Sequence, residues 1–159
     1  MNKSWMVGAL LLAACGGGQT STAAPSPGPE YAVQEFMAAV ADSNLPKIAE
    51  YWGTAKGSAA ETGNPSDYPK RIEVIQLWLR GYTYRIVGST PTDATRVAQE
   101  MQVEMAKGDC RKQVAFLAVK TGSSRWVIQS IDLNAIGSPM LPCLEEVGAA
   151  PGGRGTSPG

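Results

Sequence analysis

The spacing of apolar residues changes at Gly81 from a helical to a strand period, and this change limits the folds that the chain can adopt. Before Gly81, apolar residues recur three and four positions apart in three stretches, which predicts three amphipathic helices. After it, apolar and polar residues alternate, which predicts four antiparallel strands. Helices followed by strands are typical of an α+β domain, so we expect three N-terminal helices packed on a curved antiparallel sheet of about four strands.

The first two predicted helices have recognisable ends. The first helix begins after Pro29 and ends near Asp42, where a polar run interrupts its apolar stripe. The second helix is short, with Asn44 as its N-terminal cap and Pro46 in its first turn. Both helices are expected to turn an apolar face toward the core.

The polar stretch at 53–66 contains three glycines and one proline, which predicts a loop or a mobile flap. Ser66 or Asp67 then caps the third helix. Because Val74 and Trp78 widen the apolar stripe of that helix, we expect it to be well buried.

One predicted strand differs from the others in its composition. The stretch at 114–120 is more uniformly apolar than the alternating strands on either side of it. Such a strand is typical of the centre of a sheet, where both faces are covered. A turn at 121–124 leads into the last strand, which begins at Trp126.

The N-terminus has the order of a secretory signal: a basic start, a ten-residue apolar stretch and small residues before Cys15. This stretch is shorter than the roughly 20 residues that a membrane-spanning helix requires. The tetrapeptide Leu12-Ala13-Ala14-Cys15 resembles the lipobox of bacterial lipoproteins. The resemblance implies that residues 1–14 are a signal peptide, that the Cys15 sulfur is acylated, and that the acyl chains bind a membrane. Gly16, where an inner-membrane retention signal has Asp, favours the periplasmic side of the outer membrane in a diderm bacterium.

Composition divides the mature chain into three parts. Residues 15–29 comprise the lipidated cysteine and a flexible linker, because they carry no charge and no large apolar side chain that would offset the entropy of ordering. Residues 30–147 form the α+β domain, and residues 148–159 read as a disordered tail rich in glycine and proline.

The overall composition excludes several classes of function. The chain has no histidine, which excludes a Ser-His-Asp triad, a Cys-His nucleophile and a histidine-ligated zinc. Basic and acidic residues number 14 each, and this balance argues against a nucleic-acid partner. The sequence contains neither a glycine-rich phosphate loop nor a cluster of metal ligands, so we expect no cofactor and no metal.

Three segments resemble the nuclear-transport-factor-2-like, or cystatin-like, superfamily: the helix pair around 35–42, the strand at 84–87, and the final unit that runs from Val119-Lys120 through a turn to 125–128. The similarity is closest to small bacterial lipoprotein domains of uncharacterised function in that superfamily, and it covers about residues 31–134. It implies a cone-shaped sheet around helices, an arrangement that usually leaves a pocket. Because the superfamily includes enzymes, binding proteins and interaction modules, the fold alone does not choose between these functions.

Cys110 and Cys143 remain once Cys15 is acylated. In an exported protein, the simplest expectation for a remaining pair is one disulfide. The pair lacks both the Cys-x-x-Cys spacing of a redox site and the histidines of a metal site. We therefore expect a structural disulfide that closes a loop of about 34 residues and stabilises the domain by about 3–4 kcal/mol.

The possible pocket residues are aromatic side chains and one acid: Trp78, Tyr82, Tyr84, Trp126 and Asp132. In related isomerases an Asp abstracts a proton and a Tyr stabilises the oxyanion, so Asp132 with Tyr82 or Tyr84 is the candidate pair for an isomerase or dehydratase. That hypothesis requires Asp132 to be buried beside a tyrosine. The alternative is that Asp132 ends its strand in solvent or caps a turn, while the tyrosines fill the core with their hydroxyls satisfied at its rim.

Three functions are compatible with these observations. The first, which we favour, is a non-enzymatic, membrane-anchored envelope lipoprotein whose domain binds a small apolar molecule, a peptide or another envelope protein. The second is the pocket isomerase or dehydratase. The third is a structural envelope protein that forms a homodimer sheet to sheet, through an exposed apolar patch at Val97, Met101, Val103 and Met105.

Overall fold

The computed structural model describes residues 28–139, which form a mixed α+β domain with a four-stranded antiparallel sheet and several helices, as the predicted fold class requires. The helices are α1 (Pro29–Ala41), α2 (Leu45–Tyr51), α3 (Ala59–Thr62), α4 (Tyr68–Leu79) and α5 (Leu133–Ile136). The strands are β1 (Gly53–Thr54), β2 (Gly57–Ser58), β3 (Thr83–Pro91), β4 (Ala98–Lys107), β5 (Cys110–Lys120) and β6 (Trp126–Ile131). In this part of the chain, no helix is long and apolar enough to cross a membrane. The signal peptide, Cys15, Cys143 and the predicted tail lie outside the described residues.

The larger sheet has the strand order β3-β4-β5-β6, and each strand runs antiparallel to its neighbours. A two-residue turn joins β4 to β5, and its first residue, Gly108, has a φ of 60°, a conformation that favours glycine. Register shifts in the β3-β4 and β5-β6 pairs introduce bends. At the β6 edge, Trp52 forms a parallel bridge with Ile128, which places the small β1-β2 hairpin beside this strand.

The core lies between the helices and one face of the sheet. On β4, every second residue from Met101 to Met105 is fully buried, and on β5 the side chains of Val114 and Phe116 are buried in the same way. The helices complete this core with apolar stripes that face the sheet. The largest fully buried side chains are Phe36, Phe116, Ile48, Ile72, Leu79, Met101, Met105, Ile128, Ile136, Val33, Val40 and Val103.

The first two helices agree closely with their predicted limits. α1 starts at Pro29, one residue before its predicted start. The side-chain oxygen of Asn44 accepts a hydrogen bond from the backbone N–H of Lys47 at 3.1 Å, which confirms the predicted cap of α2. Pro46 lies in the first turn of α2, as predicted.

The prediction of a loop or mobile flap at 53–66 is wrong, because this stretch contains β1, β2 and α3. Ser58 is fully buried, and its hydroxyl accepts a hydrogen bond from the backbone N–H of Glu61 at 3.3 Å. The Glu61 carboxylate in turn accepts one from the backbone N–H of Ser58 at 3.2 Å. This reciprocal capping box gives the short helix a local stability that the glycine content does not reveal.

Two predictions about burial, a well-buried third helix and a strand covered on both faces, are also wrong. α4 buries Ile75 and its neighbours on one side, but Val74 and Leu77 are 49% and 50% exposed. β5 is the central strand that was predicted, yet Ala115 and Leu117 on its outer face are only partly buried. In both elements the neighbouring helices and strands cover only part of the apolar surface.

The apolar patch expected for a sheet-to-sheet dimer is not formed by the predicted residues. Met101, Val103 and Met105 are fully buried beneath the helices, and of the predicted set Val97 alone is exposed, at 46%. The outer side of β4 instead carries Glu104, which forms ion pairs with an arginine on each neighbouring strand. A period of two defines the two faces of a strand, but it does not say which face the helices cover.

Candidate functional site

The possible pocket residues chosen from the sequence lie in different parts of the described domain. Tyr82 is 8% exposed in the core, and its hydroxyl has no hydrogen-bond partner among the described residues, so the expectation of a satisfied hydroxyl is wrong there. Tyr84 lines an open cleft beside Glu35. Trp126 borders a separate cavity of about 110 Å³, whereas Trp78 is half-buried on α4.

Asp132 is exposed and caps α5. One of its carboxylate oxygens accepts a hydrogen bond from the backbone N–H of Ala135 at 3.3 Å. The isomerase hypothesis requires this carboxyl to be buried beside Tyr82 or Tyr84, and the structure does not meet that requirement. The alternative expectation, that Asp132 ends its strand and caps a turn, agrees with the observed geometry.

An apolar groove of about 410 Å³ lies between α4 and the end of β6, and we call it the α4–β6 groove. α4 forms one wall, and β6 with the start of α5 forms the other. The lining residues are Trp52, Lys70, Arg71, Val74, Ile75, Gln129, Ser130, Ile131 and Leu133. The sequence by itself did not indicate this groove, although Val74 was expected on the apolar stripe of the third helix.

One feature of each wall leaves the space between α4 and β6 that forms this groove. On α4, Val74 lies on the side that the sheet leaves uncovered. On β6, the register shift opposite Leu117 and Ala118 adds one residue, so that Gln129 and Ser130 are exposed in succession. The bulge therefore places two neutral polar side chains opposite the apolar surface of α4.

Basic side chains lie at one end of the groove, in the first turn of α4. Both carboxylate oxygens of Asp67 accept from the Nε–H of Arg71 at 3.0 Å, and this contact holds the pKa of Asp67 below its ordinary value of 3.8. The side chain of Lys70 has neither an ion pair nor a hydrogen bond to any residue in 28–139. Because Asp67 compensates one of the two cations, this end of the groove keeps a single net positive charge.

The opposite side of α4 borders a second groove, of about 340 Å³, with charge of the other sign. Its charged lining residues are Glu50 and Glu73, and its apolar lining includes Leu45 and Ile72. The two sides of one helix thus present grooves of similar size and opposite charge.

A polar cluster that the sequence analysis missed joins α1 to α2. The Lys47 ammonium lies 2.8 Å from a Glu35 carboxylate oxygen and 5.9 Å from the centre of the Tyr51 ring. The hydrogen bond to Glu35 raises the pKa of Lys47, while burial and then the neighbouring Tyr31 raise the pKa of Tyr51. Lys47 therefore stays protonated and Tyr51 stays un-ionised at neutral pH, so neither is a general base. Glu35 and Lys47 lie on different helices, so no local spacing in the sequence reveals this pair.

Cys110 is buried at the start of β5 and is disulfide-bonded. The other cysteines of the chain, Cys15 and Cys143, lie outside the described residues. The pairing of Cys110 with Cys143 therefore stays a prediction. Among residues 28–139, no group of three or more cysteine, aspartate or glutamate side chains is placed to hold a metal ion.

Comparison with known proteins assigns no family to this chain. No protein-family model, no curated protein and no solved structure gives a significant match. The function is therefore inferred from the grooves and clusters described above.

Proposed function

We propose that this protein is a membrane-anchored, extracytoplasmic lipoprotein whose α+β domain binds a small apolar ligand in the α4–β6 groove. The observation that carries the proposal is the groove itself, with a volume of about 410 Å³, largely apolar walls and Val74 half exposed at its edge. Small-molecule sites are usually concave, measure roughly 300–1,000 Å³, and combine apolar walls with a few polar groups. The α4–β6 groove has each of these properties.

The proposal is one of binding and not of catalysis. The residue expected to abstract a proton, Asp132, is exposed and already serves as the cap of α5. In the groove, the charged lining residues are Lys70 and Arg71, whose cationic side chains donate hydrogen bonds and accept none. The groove therefore offers recognition of a ligand and lacks a carboxylate, thiol or imidazole that would act as a base or nucleophile.

We also propose the cone-shaped, nuclear-transport-factor-2-like arrangement as the finer description of this domain. Its support is the packing of helices on one face of a four-stranded antiparallel sheet, together with bulges in two strand pairs. The resemblance of three short segments to that superfamily, over about residues 31–134, led to the same expectation.

The membrane anchor is proposed from the lipobox-like tetrapeptide that ends at Cys15. A flexible linker of the length of residues 16–28 has a mean reach of about 20 Å, which would hold the groove close to the bilayer surface. Confinement of this kind raises the effective concentration of membrane-derived ligands around the domain. We place the protein in the cell envelope, on the periplasmic side of the outer membrane if the bacterium is diderm.

The test measures binding of a neutral, apolar fluorescent probe, N-phenyl-1-naphthylamine. The protein is the mature chain, residues 15–159, with Cys15→Ser so that no acyl chain competes for the groove. We expect saturable binding, weakened about tenfold or more by Val74→Asp because a carboxylate at the groove edge costs desolvation.

Val87→Asp is the matched control, because Val87 on β3 is 42% exposed and does not line the α4–β6 groove. This variant should bind the probe as the parent does. Equal losses in both variants, or no saturable binding by the parent chain, would contradict the proposed function. Circular dichroism of both variants checks that each has kept its fold.

A further inference from the structure

We infer that the ligand of the α4–β6 groove is a single-chain amphiphile with one anionic headgroup, such as a fatty carboxylate, whose headgroup lies at Lys70. This inference rests on the proposed function, because it names the chemical class of ligand that the same groove takes. Three observations support it: cationic and apolar residues follow one another along the groove, the basic end has a net positive charge, and the groove has the volume of a small-molecule site.

The lining residues of α4 are ordered by polarity along the helix. Lys70 and Arg71 line the groove from the first turn, and Val74 and Ile75 line it from the next turn. Positions four apart lie on the same face of a helix, about 6 Å further along its axis. The groove is thus cationic at one end and apolar beyond it, which matches a molecule with a charged head and an apolar tail.

The charge at the basic end fits one negative headgroup. Arg71 pairs directly with Asp67, whose carboxylate also attracts Lys70 at longer range, whereas Lys70 itself makes no side-chain ion pair or hydrogen bond within residues 28–139. None of the residues that line the groove is acidic, and the facing wall offers the neutral polar side chains of Gln129 and Ser130. A carboxylate at this end would therefore gain a charged hydrogen bond to Lys70 without displacing an existing ion pair.

The volume and charge of the two grooves indicate which groove the ligand occupies and how many alkyl chains it has. A volume of about 410 Å³ lies near the lower end of the range for small-molecule sites, which suits one alkyl chain and not a diacyl lipid. The second groove has a similar volume but carries Glu50 and Glu73, which repel an anion. An anionic amphiphile is therefore directed to the side of α4 that carries Lys70.

The experiment compares three amphiphiles that share one alkyl chain: dodecanoate, dodecanol and dodecyltrimethylammonium. Each displaces N-phenyl-1-naphthylamine from the same unacylated mature chain, at pH 8 and below its aggregation concentration. We expect dodecanoate to bind roughly tenfold more tightly than dodecanol, and the cation to bind most weakly. Lys70→Gln should abolish the preference for dodecanoate over dodecanol.

Lys56→Gln is the matched control, because it removes the same charge from an exposed lysine between β1 and β2, which does not line the groove. Equal affinities for dodecanoate and dodecanol, or equal effects of the two lysine variants, would overturn the inference while the proposed function stands. Failure of all three amphiphiles and of the probe to bind would instead overturn the proposed function. Binding to phosphatidylglycerol vesicles that depends on Lys70, without binding of dodecanoate, would overturn the choice of a single-chain ligand.

Discussion

The ring of Phe36 on α1 meets the ring of Phe116 on β5 edge to face, with centroids 6.4 Å apart and planes inclined by 81°. Both side chains are fully buried, so this pair links the first helix to the middle of the sheet. Edge-to-face pairs of this kind add about 0.5–1.5 kcal/mol to the free energy of burial. The contact therefore connects the two layers that together form the groove.

Phe116→Ala is expected to lower the free energy of unfolding by about 3–5 kcal/mol, because it removes a fully buried ring and leaves a cavity. Urea unfolding followed by tryptophan fluorescence measures this change. Val87→Ala, at an exposed position of the sheet, should change stability by no more than about 0.5 kcal/mol. Similar effects of the two substitutions would contradict the central place of Phe116 in the core.

Tyr82→Phe is expected to leave stability unchanged or to raise it by up to about 1 kcal/mol. The Tyr82 hydroxyl is buried without a hydrogen-bond partner among the described residues, so its removal relieves an uncompensated desolvation cost. Tyr82→Leu should be destabilising, because it also removes the ring that lies 5.3 Å from the Lys107 ammonium. A loss of more than about 1 kcal/mol in Tyr82→Phe would show that the hydroxyl has a partner in solution.

The capping box of α3 predicts a pH-dependent contribution to stability. Hydrogen bonds from the Ser58 backbone and hydroxyl, followed by the charge of Arg125, hold the pKa of Glu61 below its ordinary value of 4.5. A carboxyl whose pKa is lower in the folded state contributes stability above its unfolded pKa and loses it as the pH falls through its folded pKa.

Glu61→Gln tests this contribution, because the amide keeps the shape of the side chain and removes its charge. The variant should be less stable than the parent at pH 7, and the difference should shrink as the pH falls below about 4.5. Urea unfolding across this pH range measures it, with Glu73→Gln as the control that removes the same charge from α4, outside the capping box. A difference that grows as the pH falls would have the wrong sign for this mechanism.

Cys110→Ser is expected to lower the free energy of unfolding by about 3–4 kcal/mol relative to the oxidised chain, on the chain-entropy account of a loop of about 34 residues. Cys143→Ser should have the same effect. The double variant should be no less stable than either single variant, because both substitutions remove the same bond. Thiol titration after denaturation should find none in the mature chain with Cys15→Ser and one in each further single variant. Additive losses would mean that the two cysteines are not partners.

Cys15→Ser in the full-length chain is expected to move the protein from the membrane pellet to the supernatant after ultracentrifugation. If Cys15 is acylated as proposed, the substitution removes the sulfur that carries the acyl chains and with it the attachment to the bilayer. Cys143→Ser serves as the control, because it removes a cysteine and leaves the lipobox-like tetrapeptide intact. Retention of Cys15→Ser in the pellet would contradict lipidation at this residue.

Local sequence patterns predicted those helices and strands whose structure depends mainly on their own residues. The strand period after Gly81 predicted the four antiparallel strands, and the Asn44-Pro46 sequence predicted the capped start of α2. These signals succeed because side-chain alternation and cap hydrogen bonds involve residues only a few positions apart. The same reasoning gave the signal peptide, the lipidated cysteine and the linker as expectations, since each rests on a short contiguous stretch.

The tertiary structure decided everything that depends on where two distant elements meet. The two-residue period of β4 left open which face the helices cover, and packing buried Met101 with its neighbours. Val74 and Ile131 form one groove although they are far apart in the chain, because the axis of α4 and the bulge of β6 set their separation. The order of residues along the chain therefore predicted the main helices and strands and gave the anchor as an expectation. The candidate site, in contrast, arises from the packing of the whole core, which no local pattern contains.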